Sequence, residues 1–183
     1  MTDRRGRFEA QVMPHLDAAY RFARWLTRSG EDADDLVQEA FLRAFRAFDG
    51  LRGSDAKAWL FSIVRNCHVT AMREQQRRSF VRLSEEGEET QRAPGAPPAT
   101  ATDPQSATLE HEAQCTLEGL IGSLAPEHRE VLVLREMEEM SYREIAAVTR
   151  VPIGTVMSRL ARARAALKAQ WHQRVQGEPR AVR

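Results

Sequence analysis

Apolar residues recur every three to four positions over most of the chain, and no run alternates as a strand would. Phe8, Val12, Leu16, Tyr20, Ala23 and Leu26 keep helical spacing. Pro14 interrupts them, which predicts a short helix and then a second one with the proline in its first turn. Ser29-Gly30 ends that helix. Asp32 is the predicted N-cap of the next, with Asp34 and Asp35 favoured in its first turn by the helix dipole. Its stripe is Leu36, Ala40, Phe41, Ala44, Phe45 and Phe48. Asp49 to Ser54 reads as a loop. Ser54 caps a long helix to about Arg78, with Trp59, Leu60, Ile63, Val64, Cys67 and Met72 as its apolar stripe.

The pattern then stops. From Ser84 to Thr108 no hydrophobic residue is larger than alanine, and four of the eight prolines lie there. Such a segment cannot bury enough apolar surface to offset ordering, so it predicts a flexible linker. Helical spacing resumes with Leu109, Leu117, Leu120, Ile121 and Leu124. Pro126 suits the first position of a helix to about Met137. Ser141 caps a short helix, Tyr142 to Thr149, which Arg150-Val151-Pro152 breaks. A last helix runs from about Gly154 past Lys168. The predicted fold is all-α, with two small helical domains over 1–83 and 109–175, a linker over 84–108 and a tail over 176–183.

Length and composition allow this division, since 183 residues suit two small domains. Hydrophobic residues make up 42% and charged ones 29%, an ordinary globular balance. No apolar run approaches the ~18 residues of a membrane span. Nor does an apolar core follow the basic N-terminus as in a secretory signal. Cys67 and Cys115 cannot build a disulfide framework. These features predict a cytoplasmic protein without membrane insertion. The net charge of +1 hides segregation. Glu31 to Glu39 holds five acids and no base, whereas Arg150 to Lys168 holds five bases and no acid. Separate acidic and basic blocks point to separate partner surfaces.

Three constellations carry chemistry. The sharpest runs from Ser141 to Leu160: short helix, tight break, second helix, the proportions of a helix-turn-helix. In its second helix Val156, Leu160, Ala163 and Leu167 share an inward face. Thr155, Ser158, Arg159 and Arg162 fall on another, offering hydroxyls and guanidinium forks to phosphates and guanine edges. The second is Asp32 to Phe45. Its acids lack the glycine turn of a calcium loop and the His or Cys of a zinc site, so a basic protein partner fits better than a metal. The third is Trp59 to His68, continuing to Arg73, Arg77 and Arg78. Aromatics and arginines there suit single-stranded DNA, although Trp59 and Phe61 also suit a core. Nothing resembles a nucleophile–base pair or a phosphate-cradling glycine loop, and no enzyme activity or cofactor is expected.

Together these residues resemble a family. Asp34-Asp35-Leu36-Val37-Gln38-Glu39-Ala40-Phe41, then Trp59-Leu60 with Arg65-Asn66, then Glu144-Ile145-Ala146 and Gly154 to Arg164 resemble bacterial sigma-70 factors. The likeness is closest to the extracytoplasmic-function (ECF) group, which keeps only sigma regions 2 and 4 around a linker. The resemblance implies a promoter-specificity subunit, itself not an enzyme. Asp35, Leu36, Gln38 and Glu39 would dock on the clamp coiled coil of core RNA polymerase, and Leu124 to Met140 would engage its flap. The loop Asp49 to Ala58, with Trp59, Arg65, Asn66 and Arg73, would capture unpaired −10 bases. Thr155, Ser158, Arg159 and Arg162 would read the −35 duplex. Promoter DNA and an anti-sigma factor are the further partners implied.

Two departures stand out. Lys57-Ala58 occupy the place where an aromatic often precedes the Trp-Leu pair. Thr149-Arg150 replace the usual Leu-Gly at the helix-turn-helix break, so either Arg150 turns left-handed at ~1 kcal/mol or the turn differs in shape. His111 and Cys115 lie one turn apart, but Glu118 leaves the His-x-x-x-Cys-x-x-Cys zinc pattern incomplete, so no metal is expected. Two rival readings are a one-component regulator and a metal-dependent nuclease using Asp34 and Asp35. The first leaves the acidic helix Asp32–Glu39 and the basic helix Arg65–Arg82 unexplained, and the second requires metal-dependent cleavage.

Overall fold

The computed structural model describes residues 4–51, 55–85 and 117–177, with side chains through 80 and 174 in the last two spans. All regular structure among them is helical. The chain divides into two compact units, Met1–Ala99 and Thr100–Arg183. Ser84 and Glu85, the first two residues of the predicted linker, are instead the last two of the fourth helix, Ala56–Glu85. The rest of the linker, Ser54, Leu109, His111 and Cys115 lie outside the described residues.

The first unit packs α1 (Arg4–Gln11), α2 (Leu16–Thr27), α3 (Gly30–Ala47) and α4 (Ala56–Glu85). Pro14 sits in a 3-10 turn, Met13–His15, between α1 and α2. That tight turn sets the phase of α2. Ala19, Phe22 and Ala23 are its buried residues, while the predicted Leu16, Tyr20 and Leu26 are only half-buried. Phe22 stacks on Phe61 of α4, ring centroids 5.0 Å apart, and both are fully enclosed. Phe61, Leu60, Val64 and Cys67 are therefore the inward stripe of α4. Ile63 is half-buried and Met72 lies out in solvent. Burial pushes the Cys67 thiol above its usual pKa.

The cap of α3 corrects the prediction. Ser29, not Asp32, is the N-cap, and its Oγ accepts the Asp32 N–H. Both residues are good caps three positions apart, and the earlier one wins because Gly30 can already enter the helix. The stop of α2 is Arg28, left-handed at φ 62°, with its N–H donating to the Arg24 carbonyl. At the start of α4, Asp55 accepts the Ala58 N–H at 2.9 Å, the capping role predicted for Ser54. At the far end of α3, the capping Phe48 N–H donates to the Phe45 carbonyl, and Arg4 adds a bond to that carbonyl and one to the carbonyl of Arg46. Phe8 meets Phe45 and Phe48 edge-on, closing α1 over the same helix end.

The second unit holds helical residues 117–122 (α5), α6 (Pro126–Glu136), α7 (Tyr142–Thr149) and α8 (Ile153–Gly177). Pro126 and Ser141 take their predicted places. Its core joins Val131 and Leu134 of α6, Ile145 and Val148 of α7, and Val156, Leu160 and Ala163 of α8. Buried Arg129 donates to the Gly122 carbonyl at 2.8 Å and so finishes the C-terminus of α5. Arg150 does turn left-handed, at φ 55° and ψ 39°, and Val151 N–H closes back on the Ala146 carbonyl. The α7–α8 break thus has the shape glycine normally supplies, made with an arginine.

Two outcomes follow. Arg150→Gly should raise the stability of the second unit by about 0.5–1 kcal/mol, because only the left-handed strain is removed. Its urea midpoint should rise at unchanged slope, and a fall would contradict the strain assignment. Leu36 is 7% exposed among Ala33, Val37, Ala40 and Ala44 of α3. Leu36→Ala should therefore destabilise the first unit by ~2–4 kcal/mol in denaturant unfolding.

Candidate functional site

The α7–α8 pair is built from its ends. Ser141 Oγ accepts the Glu144 N–H, and the Glu144 carboxylate accepts the Ser141 N–H at 2.6 Å. This capping box places the Glu144 charge at the helix N-terminus, where the dipole favours it. Burial of Val156, Leu160 and Ala163 fixes the rotation of α8, so Gly154, Met157, Ser158, Ala161 and Arg162 point away from the core. Of the four residues predicted to read duplex DNA, Ser158 and Arg162 are exposed on that side. Thr155 and Arg159 are half-buried at its edge. Ser158 Oγ donates to the Thr155 carbonyl at 2.9 Å, which turns its lone pairs outward.

Charge pairing separates the arginines. Arg164 binds Glu136 of α6 through two contacts, 2.6 and 3.2 Å, and that hydrogen-bonded carboxylate raises its pKa above the ordinary value. Among the described residues no acid pairs with Arg159 or Arg162. Two guanidinium groups near the start of α8 are thus available to phosphate or base edges, and the third is held by the protein itself.

On α3 the helix phase sorts the predicted polymerase contacts. Asp35 and Gln38 are exposed one turn apart, and Leu42, 55% exposed, continues their stripe. Leu36 does not belong with them. It is buried in its own bundle and can only support the helix. Glu39 is exposed but tied to Arg43, whose pKa its hydrogen bond raises. The accessible surface is therefore Glu31, Asp35, Gln38 and Leu42, acidic at one end and apolar at the other.

The predicted −10 residues spread along α4. Trp59, Arg65 and Asn66 are half-buried and Arg73 is exposed. Phe61 belongs to the core and Lys57 lies over its ring at 5.6 Å, so no aromatic face opens at Lys57-Ala58. The Asn66 side chain has no hydrogen bond to another described residue, although its carbonyl accepts from Thr70. Residues 52–54 of the predicted loop lie outside the described residues. Sequence reasoning passed over Met157 and Ala161, which lie on the outward side of α8. Their signal was the four-residue spacing Ile153, Met157, Ala161, a row that runs from the flank of the Val156–Leu160 stripe toward the outward side.

Among the described residues no His, Cys, Asp and Glu cluster could hold a metal. No helix among them is long and apolar enough to cross a membrane.

Residues 11–78 match the family Sigma-70 region 2, and residues 116–167 match Sigma-70, region 4. An ECF RNA polymerase sigma factor SigE of Mycolicibacterium smegmatis is 35% identical over 159 residues, 86% of this chain. The chain spans 58% of that relative's length. The ECF RNA polymerase sigma-E factor of Escherichia coli is 36% identical over 137 residues, 74% of this chain and 72% of the relative. Among solved structures, the sigma factor RpoE of Bartonella quintana, in complex with the anti-sigma factor NepR, superposes with a TM-score of 0.67 at 29% identity. That match covers 89% of this chain and 95% of RpoE. With both regions matched in order and helical architecture to suit, the chain belongs to the extracytoplasmic-function group of sigma-70 factors.

Proposed function

We propose that this chain is a promoter-specificity subunit of bacterial RNA polymerase, working in the cytoplasm where that polymerase works. One observation carries the reading. The chain exposes an acidic and apolar stripe on α3, and separately an acid-free stretch of α8 with unpaired Arg159 and Arg162. The first suits a basic protein partner and the second a polyanion. Asp35 and Gln38, with Leu42, dock on the clamp coiled coil, and Glu39, paired with Arg43, stands at the rim. Leu124 to Met140 engages the flap. Ser158 and Arg162 read the −35 duplex, with Thr155 and Arg159 at the edge toward the phosphate backbone. Asn66 holds an extruded −10 base while Trp59, Arg65 and Arg73 follow the displaced strand. Residues 1–83 and 109–175 are the two working units, 84–108 the linker between them and 176–183 a tail. The likeness to RpoE bound to NepR supports an anti-sigma factor as the regulator of this chain too.

Run-off transcription with purified core polymerase on genomic fragments tests the whole reading. A discrete, factor-dependent transcript is expected, and its absence with active core would overturn the function.

Two substitutions test its parts. Asp35→Arg combined with Gln38→Ala should leave helicity and unfolding unchanged, because both side chains are exposed. Core affinity should fall roughly tenfold in a titration, as expected for a rim charge placed against basic partners. Asn66→Ala should keep fold, core binding and −35 binding, since no internal bond is lost. It should nevertheless fail to open the −10 region, because the group that pairs with an extruded base edge is gone. Permanganate reactivity of −10 thymines reads this directly, and wild-type reactivity in the variant would contradict the role.

A further inference from the structure

We infer that Met157, backed by Ile153, reads the C5-methyl group of a thymine in the −35 duplex and so sets base preference at one position of that element. The inference rests on the assignment of α8 to the −35 element. Ile153 and Met157 are one helical turn apart, and are 41% and 52% exposed. They are not surplus core residues. The inward face of α8 is already filled by Val156, Leu160 and Ala163, all essentially inaccessible. Two large apolar side chains therefore stand in water at the start of the helix whose outward side carries Ser158 and Arg162.

Their surroundings narrow what could cover them. From Ile153 to Lys168 the helix has four bases (Arg159, Arg162, Arg164, Lys168) and no acid. A fitting partner must be anionic and still present an apolar group. The major groove does both, because thymine's methyl is the apolar feature on its base edges. A step of about 100° per residue orders the outward side of α8. From one edge to the other it reads Met157, Ala161, Ser158, Arg162, then Thr155 and Arg159. The apolar edge and the basic edge flank the hydroxyl. Gly154 and Ala161 border Met157, and nothing lies within 4 Å of where a Cβ on Gly154 would stand. No bulky neighbour on that side shields the methionine from the groove. Its unbranched, polarizable side chain adapts to a methyl target.

The test uses holoenzyme assembled from the full chain and core polymerase. The duplex is a promoter located by start-site mapping. Each −35 thymine is replaced in turn by deoxyuridine, which removes only the methyl. At one thymine the wild-type holoenzyme should lose about three- to fivefold in affinity, the worth of one buried methyl-sized group. Met157→Ala should bind the unmodified duplex correspondingly more weakly, and should respond to that deoxyuridine by less than about twofold. Met157→Leu, which keeps an apolar side chain, should retain the response. Helicity and thermal midpoint should stay at wild-type values, because the side chain is exposed.

The inference is overturned if no thymine responds, if the −35 element contains none, or if Met157→Ala keeps the full response. Loss of core binding by Met157→Ala would also overturn it, by making the patch a protein contact. Arg162→Ala separates the two levels of the argument. If it weakens promoter binding while no deoxyuridine does, only the methyl contact falls. If neither Arg162→Ala nor Met157→Ala changes promoter affinity, the −35 assignment of α8 falls with it.

Discussion

Helix rotation is the constraint on which both working surfaces depend. A helix in a small bundle turns its largest apolar stripe to the core, and every other side chain is then placed by the 3.6-residue period. On α8, burial of Val156, Leu160 and Ala163 presents Ser158 and Arg162 outward. On α3, burial of Ala33, Leu36, Val37, Ala40 and Ala44 presents Asp35, Gln38 and Leu42. A surface residue in either helix is thus positioned by packing on the opposite side. Core substitutions can disturb recognition without touching a partner.

Rotation matters only if the helix ends are fixed, and here arginine repeatedly fixes them. Arg4 satisfies carbonyls at the end of α3, and Arg129 does the same for α5. Arg28 and Arg150 themselves adopt the left-handed turn that ends α2 and α7. In the last case the cost of about 1 kcal/mol is offset within the unit, since the turn sets the angle at which α8 leaves α7. The side chain that carries this strain is exposed and basic, as the rest of that surface is.

The helical fold and the helix-turn-helix were legible because they depend on local patterns: period, proline position and the Ser141–Glu144 box. Errors arose where local signals competed. Ser29 and Asp32 were both acceptable caps, and the choice lay in how early the chain could become helical. Leu36 sat among acidic residues of a recognisable motif, so the resemblance alone could not separate contact residues from those that hold the helix. Phe61 against Ile63 turned on a stacking contact with Phe22, a partner 39 positions away in sequence. No periodicity in α4 records that contact. Met157 was missed for a related reason: it belongs to neither the inward apolar stripe nor the polar one, and its exposure is decided by how α8 packs.

Charge adds a last sorting that composition does not reveal. The near-balance of 27 bases and 26 acids does not mean the surface is neutral, because some charges are consumed in pairs within the fold. Glu39 with Arg43, Arg5 with Glu9 and Arg164 with Glu136 each cancel locally. Exposed pairs of this kind contribute little to stability, on the order of 0–1 kcal/mol each. Their larger effect is on what remains. Arg162 and Arg164 are the same residue type two positions apart on one helix. Arg164 faces α6 and finds a carboxylate there. Arg162 faces away and finds none, so its field extends into solvent, where a phosphate backbone is the natural counter-charge. The recognition surface of α8 is thus defined by which arginines the fold leaves unpaired rather than by how many the sequence contains.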